Sequence, residues 1–141
     1  MSEPLELRAL RGATTASGNT VEAIAEAVGE LVDALVERNG LAGSRVLSVT
    51  FSVTADLDAC FPAAIARRRP GWEQVALIDC QQMAVAGDLG HCIRLLAHAW
   101  MEPGRPPCHP YLREASRLRP DRASPEADHH HTPSSRGSAE N

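Results

Sequence analysis

The chain has 141 residues, 43% apolar and 23% charged, which is enough material for one folded domain and excludes disorder of the whole chain. Its formal net charge of −4 excludes long-range attraction to nucleic acid or an acidic membrane, so an anionic ligand needs a local cluster of cations. The start, MSEPLELRAL, lacks a secretory signature, and no apolar run is long enough to span a membrane. These features predict a cytoplasmic protein with no membrane or nucleic-acid partner.

The first half of the chain has the pattern of a strand, a helix and a second strand. Residues 5–15 begin with alternating apolar and charged side chains, as in a half-buried strand. The apolar positions of this alternation are Leu5, Leu7 and Ala9. Asn19 and Glu22 resemble a capping box, and helical apolar spacing continues as far as Gly40. Residues 46–54 (VLSVTFSVT) alternate and are rich in β-branched side chains, which predicts the second strand.

The second half predicts a short helix and further strands. Pro62 stands where a short helix would begin, with arginines where it would end. Residues 75–83 and 92–100 are apolar runs of strand length, and the second run also fits a helix by periodicity. Residues 109–118 predict a last strand, which Pro110 confines to a sheet edge.

Two regions of different composition divide the chain. Residues 1–121 carry the apolar patterns and are predicted to form one domain. Residues 122–141 are polar, with almost no hydrophobic anchor, and are predicted to be a disordered tail. The tail contains His129, His130 and His131, a short run more typical of chance than of a functional metal site.

The signatures of several chemistries are absent from the sequence. Four well-separated cysteines without a CxxC motif predict structural thiols; they are Cys60, Cys80, Cys92 and Cys108. Neither GxGxxG nor GxxxxGK occurs, which disfavours nucleotide binding, and GxSxG is also absent. The sequence therefore predicts no metal and no cofactor.

Arginines beside and inside the apolar strands are the strongest chemical signal. Arg11 ends one strand beside Gly12, and Arg94 lies within the run CIRLLAHAW. A guanidinium in such a place must reach water or find acceptors, and its paired donors suit a carboxylate or a phosphate. From spacing alone, an arginine on the outer surface of an alternating strand is the favoured interpretation, because long cationic side chains usually extend to water.

Four consecutive blocks of the sequence resemble one known family. They are RALRGATT at 8–15, TADLDACFPAAIARR at 54–68, GDLGHCIRLL at 87–96 and HPYLREASRLRPD at 109–121. In this order and spacing they are similar to the monofunctional chorismate mutases of the AroH class, from about Leu7 to Asp121. The resemblance implies an α/β (α+β) fold: a mixed β-sheet with flanking helices, assembled as a homotrimeric pseudo-α/β barrel.

The same resemblance implies a function and a set of site residues. The expected activity is the cofactor-free rearrangement of chorismate to prephenate, in phenylalanine and tyrosine biosynthesis, at sites between protomers. Arg11 and Arg94 match the two principal substrate-binding arginines, and Tyr111 matches a tyrosine that holds a substrate carboxylate. Phe61, Ala63 and Arg67 match the side of the pocket that comes from the neighbouring protomer. Arg119 matches a cation on the closing C-terminal segment.

The chain departs from this family at two expected site positions. Gln82 stands where many relatives carry a glutamate that contacts the substrate ring hydroxyl, and Asp79 stands where many carry a cysteine. One hypothesis is that the carboxylate has moved to Asp79, which adds both residues to Arg94 and Arg11 as expected catalytic groups. A regular strand places residues 79 and 82 on opposite faces, so the hypothesis requires the strand to bend or end there.

Two alternatives to an enzyme remain open on the sequence. The first is a non-catalytic trimeric module that binds chorismate or a related carboxylate for regulation. The second is a small structural trimer without a ligand, which predicts no arginine-lined cleft between protomers.

Overall fold

The computed structural model describes residues 3–119, which form a mixed four-stranded sheet with helices against one face. In chain order the elements are β1 (Glu6–Thr15), α1 (Val21–Asn39), a first 3-10 helix (Gly43–Arg45), β2 (Val46–Val53), α2 (Pro62–Ala66), β3 (Ala76–Gln81), β4 (Cys92–Met101) and a second 3-10 helix (Arg113–Arg117). None of the described helices is long and apolar enough to cross a membrane. The predicted tail at 122–141, with its histidine run, lies outside the described residues.

The central strand of the sheet is β4. The strand order is β1-β4-β2-β3, with β4 antiparallel to both of its neighbours and β2 parallel to β3. The parallel pair is joined by the long crossover that contains α2, as a parallel pair requires. The predicted mixed α/β sheet is therefore confirmed, and the run at 92–100 is a strand rather than a helix.

Helix α1 packs on one face of this sheet. Its buried stripe consists of Ile24, Ala27, Val28, Leu31, Val32 and Leu35. In β4 the odd-numbered residues from Ile93 to Met101 are buried against the helices, and Phe51 of β2 is fully buried beside them. Because side chains alternate along a strand, the even-numbered residues of β4 point to the opposite face. We call that second face the open face, since Leu96 and Trp100 stay exposed on it.

The N-terminus of α1 differs from the predicted capping box. Thr20 is the N-cap, and its Oγ1 accepts a hydrogen bond of 3.0 Å from the amide of Ala23. Asn19 instead holds the loop before α2: its Nδ2 donates to Oδ1 of Asp58 at 2.7 Å, and its Oδ1 accepts from the Asp58 amide at 2.9 Å. The prediction of Asn19 as the cap is wrong because its side chain is engaged by residues distant in sequence.

The predicted burial of Leu5, Leu7 and Ala9 is also wrong in the single chain. Leu7 is 52% exposed, whereas Leu10 is completely buried. Leu10 pairs with Ala97 of β4, so the even-numbered residues of β1 face α1. The apolar alternation therefore lies on the open face.

The last predicted strand forms only one bridge. Tyr111 forms an isolated parallel bridge to Ala13 on the outer edge of β1. The Ala13 amide donates to the carbonyl of Pro110 at 2.9 Å, and the Leu112 amide donates to the carbonyl of Ala13 at 2.8 Å. Pro110 has no N–H to extend this pairing, and the following residues form the second 3-10 helix. The strand predicted at 109–118 is wrong over most of its length, although its place at the edge is confirmed.

Replacing Leu31 by alanine tests the packing of α1 on the sheet. Leu31 is fully buried, so Leu31→Ala should lower the free energy of unfolding by about 3 kcal/mol through lost apolar burial and the cavity left behind. Urea denaturation at one fixed protein concentration measures the change. Val21→Ala, at a position 45% exposed on the same helix, is the control. Equal losses in the two variants would contradict the assigned packing.

Candidate active site

A row of side chains crosses the open face at one level of the sheet. Ser52 pairs with Arg94, Arg94 pairs with Ala13, and Ala13 bridges to Tyr111. Directly paired residues project to the same face, so the Arg94 and Tyr111 side chains lie on one side of the sheet. At the other end of the row, Oε1 of Gln82 accepts a hydrogen bond of 2.7 Å from Oγ of Ser52. Five chain segments thus converge on one polar strip.

Arg11 belongs to the same strip. It lies two residues before Ala13 in β1, so it shares the open face and is a diagonal neighbour of Arg94. Diagonal neighbours are within reach of long side chains across an antiparallel pair. The exposed Arg11 has its backbone N–H bonded to Nδ1 of His109 at 2.9 Å. The two expected arginines therefore occupy one face of the sheet.

The guanidinium of Arg94 has one carboxylate partner in the described chain. Its Nη2 lies 3.2 Å from each carboxylate oxygen of Asp88. Its Nε is buried and has no hydrogen-bond partner among residues 3–119. Leaving a buried N–H unpaired is costly. No sequence motif pointed to Asp88 beyond an acidic residue in the turn GDLG that precedes the strand of Arg94.

Tyr111 is held by packing and by the edge of β1. It is buried in a small cluster with Ala13 and Ala115, against which Leu89 packs. The close approach of the Tyr111 segment to β1 depends on Gly12. A Cβ at position 12 would lie 3.0 Å from the carbonyl oxygen of Pro110 and 3.3 Å from Cδ1 of Leu31. A glycine at this position therefore lets the Tyr111 segment lie close against β1.

Asp79 lies on the other face of the sheet from Gln82. It pairs with Phe51, whose side chain is buried under the helices, and its Oδ1 accepts a hydrogen bond of 3.0 Å from the amide of Ala63 in α2. Burial raises the pKa of Asp79, although the Ala63 amide and the Arg67 guanidinium favour its ionised form. Within one chain Asp79 does not replace a carboxylate at position 82, and its catalytic role stays a prediction.

The residues matched to a neighbouring protomer gather at the β3 edge. Phe61, which precedes α2, is 69% exposed, Ala63 is buried, and Arg67 is exposed at the end of α2. Edge strands β1 and β3 are separated by three strand spacings, roughly 14 Å. Phe61 and Arg67 therefore lie at the opposite edge of the sheet from Arg11, and one chain does not bring them together. Arg119 follows the second 3-10 helix, which packs beside β1.

Other features of the described chain do not resemble a ligand site for an anion. A groove between α1 and the C-terminal segment is lined by Glu30, Asp33, Ala34, Glu37, Arg38, Leu112 and Arg113. Its three carboxylates disfavour a dianion. Within residues 3–119 no group of three His, Cys, Asp or Glu side chains is placed to hold a metal, and the four cysteines form no disulfide.

Comparison with known proteins assigns this arrangement to a family. Residues 7–122 match the family model for chorismate mutase type I. The chain belongs to the chorismate mutase type I family. A relative named chorismate mutase AroH from Thermus thermophilus is 42% identical over 118 residues, covering 82% of this chain and 95% of that protein.

Further members of the family agree with this assignment. A Bacillus subtilis (strain 168) protein also named chorismate mutase AroH is 35% identical over 116 residues, covering 82% of this chain and 91% of the relative. A solved structure of a chorismate mutase from Clostridium thermocellum matches with a TM-score of 0.62 at 42% identity, covering 65% of this chain and 81% of that chain. The mixed sheet with its helices is thus a fold shared with a chorismate mutase.

Enlarging Gly12 tests how the Tyr111 segment is held. Gly12→Ala should push the segment around Pro110 away from β1, lower the thermal unfolding temperature and reduce activity, because the added methyl has no room. Gly18→Ala, where an added Cβ meets nothing within 4 Å, is the matched control. Thermal unfolding and turnover are measured together. A Gly12→Ala protein as stable and active as the control would contradict the close approach.

The raised pKa of Asp79 predicts a pH dependence of stability. A carboxyl group whose pKa is higher in the folded chain contributes stability that is present below its unfolded pKa and is lost as pH rises through the folded pKa. Asp79→Asn keeps an oxygen for the Ala63 amide but does not ionise. The free energy of unfolding of this variant, minus that of the unaltered chain, should therefore increase as pH rises from about 4 to 7.

Two further variants separate the charge from the hydrogen bond. Asp79→Ala removes the acceptor as well as the charge, and should be about 1 kcal/mol less stable than Asp79→Asn at every pH. Glu73→Gln removes an exposed carboxylate in the same crossover and should show no such gain. A stability difference between Asp79→Asn and the unaltered chain that is flat with pH, or that runs in the opposite direction, would contradict the raised pKa.

Proposed function

We propose that this chain catalyses the rearrangement of chorismate to prephenate, as a homotrimer whose active sites lie between protomers. The observation that carries the proposal is the shared open face of Arg11 and Arg94, in one strip with Gln82 and Tyr111. Membership of the chorismate mutase type I family supports the same conclusion. Prephenate is the precursor of phenylalanine and tyrosine, so the proposed role is in aromatic amino acid biosynthesis.

The protein takes little part in the covalent chemistry of this reaction. The ether C–O bond of chorismate breaks while a new C–C bond forms within the same molecule, and the electrons move in one cyclic array. The protein has to hold a compact conformer of a flexible dianion and to stabilise the negative charge that grows on the ether oxygen. Arginine suits both tasks, because its fork of donors stays charged and binds oxygen anions.

The positions of the side chains suggest a division of roles. Arg94 has an unpaired buried Nε and donates to the ether oxygen. Arg11 and Tyr111 bind the carboxylate of the enolpyruvyl arm together with Arg94. Gln82 lies at the other end of the strip; its Oε1 is engaged by Ser52, so its Nε2 is the group that remains for the ring hydroxyl.

A second chain is needed to complete this pocket. Phe61, Ala63 and Arg67 lie at the β3 edge, away from Arg11, so a neighbouring protomer supplies the apolar wall and a cation for the ring carboxylate. Arg119 supplies a further cation from the C-terminal segment. In the single chain the open face also leaves large apolar side chains uncovered, which is typical of an interaction surface. They are Leu7, Ile78, Leu96 and Trp100.

We also propose a cytoplasmic location. Four cysteines without a disulfide suit a reducing compartment, where thiols persist. Burial raises the pKa of the Cys92 thiol, even though Arg94 beside it acts in the opposite direction. A protonated, buried thiol is unreactive, in keeping with a packing role.

Turnover and assembly test the proposed function directly. The purified chain should consume chorismate, followed by loss of its absorbance, and light scattering should give about three times the chain mass of 15.1 kDa. Saturable chorismate binding without turnover would refute the enzyme and indicate the regulatory module. A monomer with full activity would refute the shared site.

Arg94→Gln tests the role of the guanidinium in the chemical step. The variant should lower kcat by roughly 10² to 10³, because removing one preorganised donor to a developing oxyanion has that effect. Arg45→Gln is the matched control: its guanidinium also forms a 3.2 Å ion pair, with Glu102, but at the opposite end of the sheet. An unchanged kcat in Arg94→Gln would remove Arg94 from this role.

A further inference from the structure

The loop between β3 and β4 holds a carboxylate against the catalytic guanidinium. Both oxygens of Asp88 lie 3.2 Å from Nη2 of Arg94, and the two side chains are only about a quarter exposed, at 24% and 25%. The contact engages one of the three guanidinium nitrogens. Nε, on the same planar group, stays buried and unpaired among the described residues.

We propose that Asp88 is a positioning residue for this site, which holds Arg94 by Nη2 and so fixes the orientation of its guanidinium on the open face. This proposal rests on the proposed function and deepens it. Gln82 is uncharged, and Asp88 is the carboxylate paired with Arg94 in the described chain. Arginine has a long, flexible side chain, and holding it in place beforehand removes its ordering from the catalytic step.

The backbone around Asp88 is itself fixed by packing. The neighbouring Leu89 packs against the buried cluster of Tyr111, Ala13 and Ala115. The Leu89 amide donates to Oδ1 of Asp88 at 2.8 Å, so the carboxylate is held by its own loop as well as by Arg94. The same cluster thus locates Tyr111 and the carboxylate on Arg94.

The β4 end of the loop is fixed by Asp56. The His91 amide donates to both carboxylate oxygens of Asp56, at 3.1 and 3.0 Å, and the His91 carbonyl accepts from the Ala16 amide at 2.8 Å. Burial acts to raise the pKa of Asp56, but hydrogen bonds from Thr54 and His91 hold it below its usual value. His91 has a φ of 49°, a strained value for a non-glycine residue that persists only where the surroundings impose it. The contacts at Leu89 and His91 hold the part of the loop that carries Asp88.

The charge of Asp88 has a second consequence, which separates positioning from simple packing. A carboxylate beside Arg94 offsets part of the positive potential that attracts a dianionic substrate. Removing it should strengthen ground-state binding while the chemical step is weakened. A purely structural role would lower the fraction of active protein and leave KM unchanged.

Two variants at position 88 test the proposal. Asp88→Ala should lower kcat about tenfold, because a misplaced group costs rate, while KM falls. Asp88→Asn keeps an acceptor oxygen for Nη2, so its kcat should stay within about threefold of the unaltered chain while its KM also falls. With the negative charge gone, KM in both variants should rise more steeply with added salt.

The control removes an equally close ion pair elsewhere. Glu102 lies 3.2 Å from Arg45 beyond the far end of β4, and Glu102→Ala should leave kcat, KM and their salt dependence unchanged. Thermal unfolding of each variant gives the folded fraction. If Asp88→Ala does not fold, Asp88→Ser takes its place with the same expected fall in kcat, because its hydroxyl keeps an acceptor for the Leu89 amide but ends one bond short of the carboxylate oxygens that contact Nη2.

The outcomes separate this proposal from the proposed function. Turnover by the unaltered chain with an unchanged or higher kcat in Asp88→Ala would overturn the positioning role and make Asp88 only a competitor of the substrate for Arg94. An unchanged KM and salt dependence in both position-88 variants would overturn it too. No turnover by the unaltered chain would refute the proposed function instead.

Discussion

The pairing of β4 with strands on both sides is the constraint on which the site depends. Its register with β1 and β2 places Arg94 opposite Ala13 and Ser52, and through them beside Tyr111 and Gln82. The side-chain period of a strand is two residues, so a shift of one residue would turn Arg94 into the core under α1. The buried odd-numbered residues of β4 prevent that shift, because they would lose the apolar contacts with the helix. The hydrophobic core therefore orients Arg94, the arginine proposed to act in the chemical step.

The two faces of the sheet divide the work between folding and function. One face is covered by α1 and α2 and carries the core. The open face carries the polar strip together with exposed apolar residues such as Leu96 and Trp100. A site made of strand residues on such a face is bounded on one side only, by the sheet, in the single chain. In the proposed homotrimer, walls from a second chain would exclude water there and so strengthen every interaction between the arginines and a dianion.

Charge balance at the strip explains how an acidic chain can hold a dianion. The chain has a net charge of −4, so attraction must come from cations concentrated at one place. Arg11 and Arg94 supply this concentration. Asp88 offsets part of the positive charge at Arg94, and Gln82 adds a polar but uncharged group. In the proposed site Asp88 thus lowers the affinity for the substrate and fixes the orientation of the Arg94 guanidinium.

The sequence by itself determined the family, the α/β class and most of the strands and helices, because apolar periodicity and contiguous motifs are local properties of the chain. It also predicted the pair Arg11 and Arg94 as site residues. Only the tertiary structure decided which face of β1 is buried and that Asp79 lies across the sheet from Gln82. It also decided that Asp88 meets Arg94. These features depend on strand register and on the path of a loop, which are set by contacts between residues far apart in the sequence.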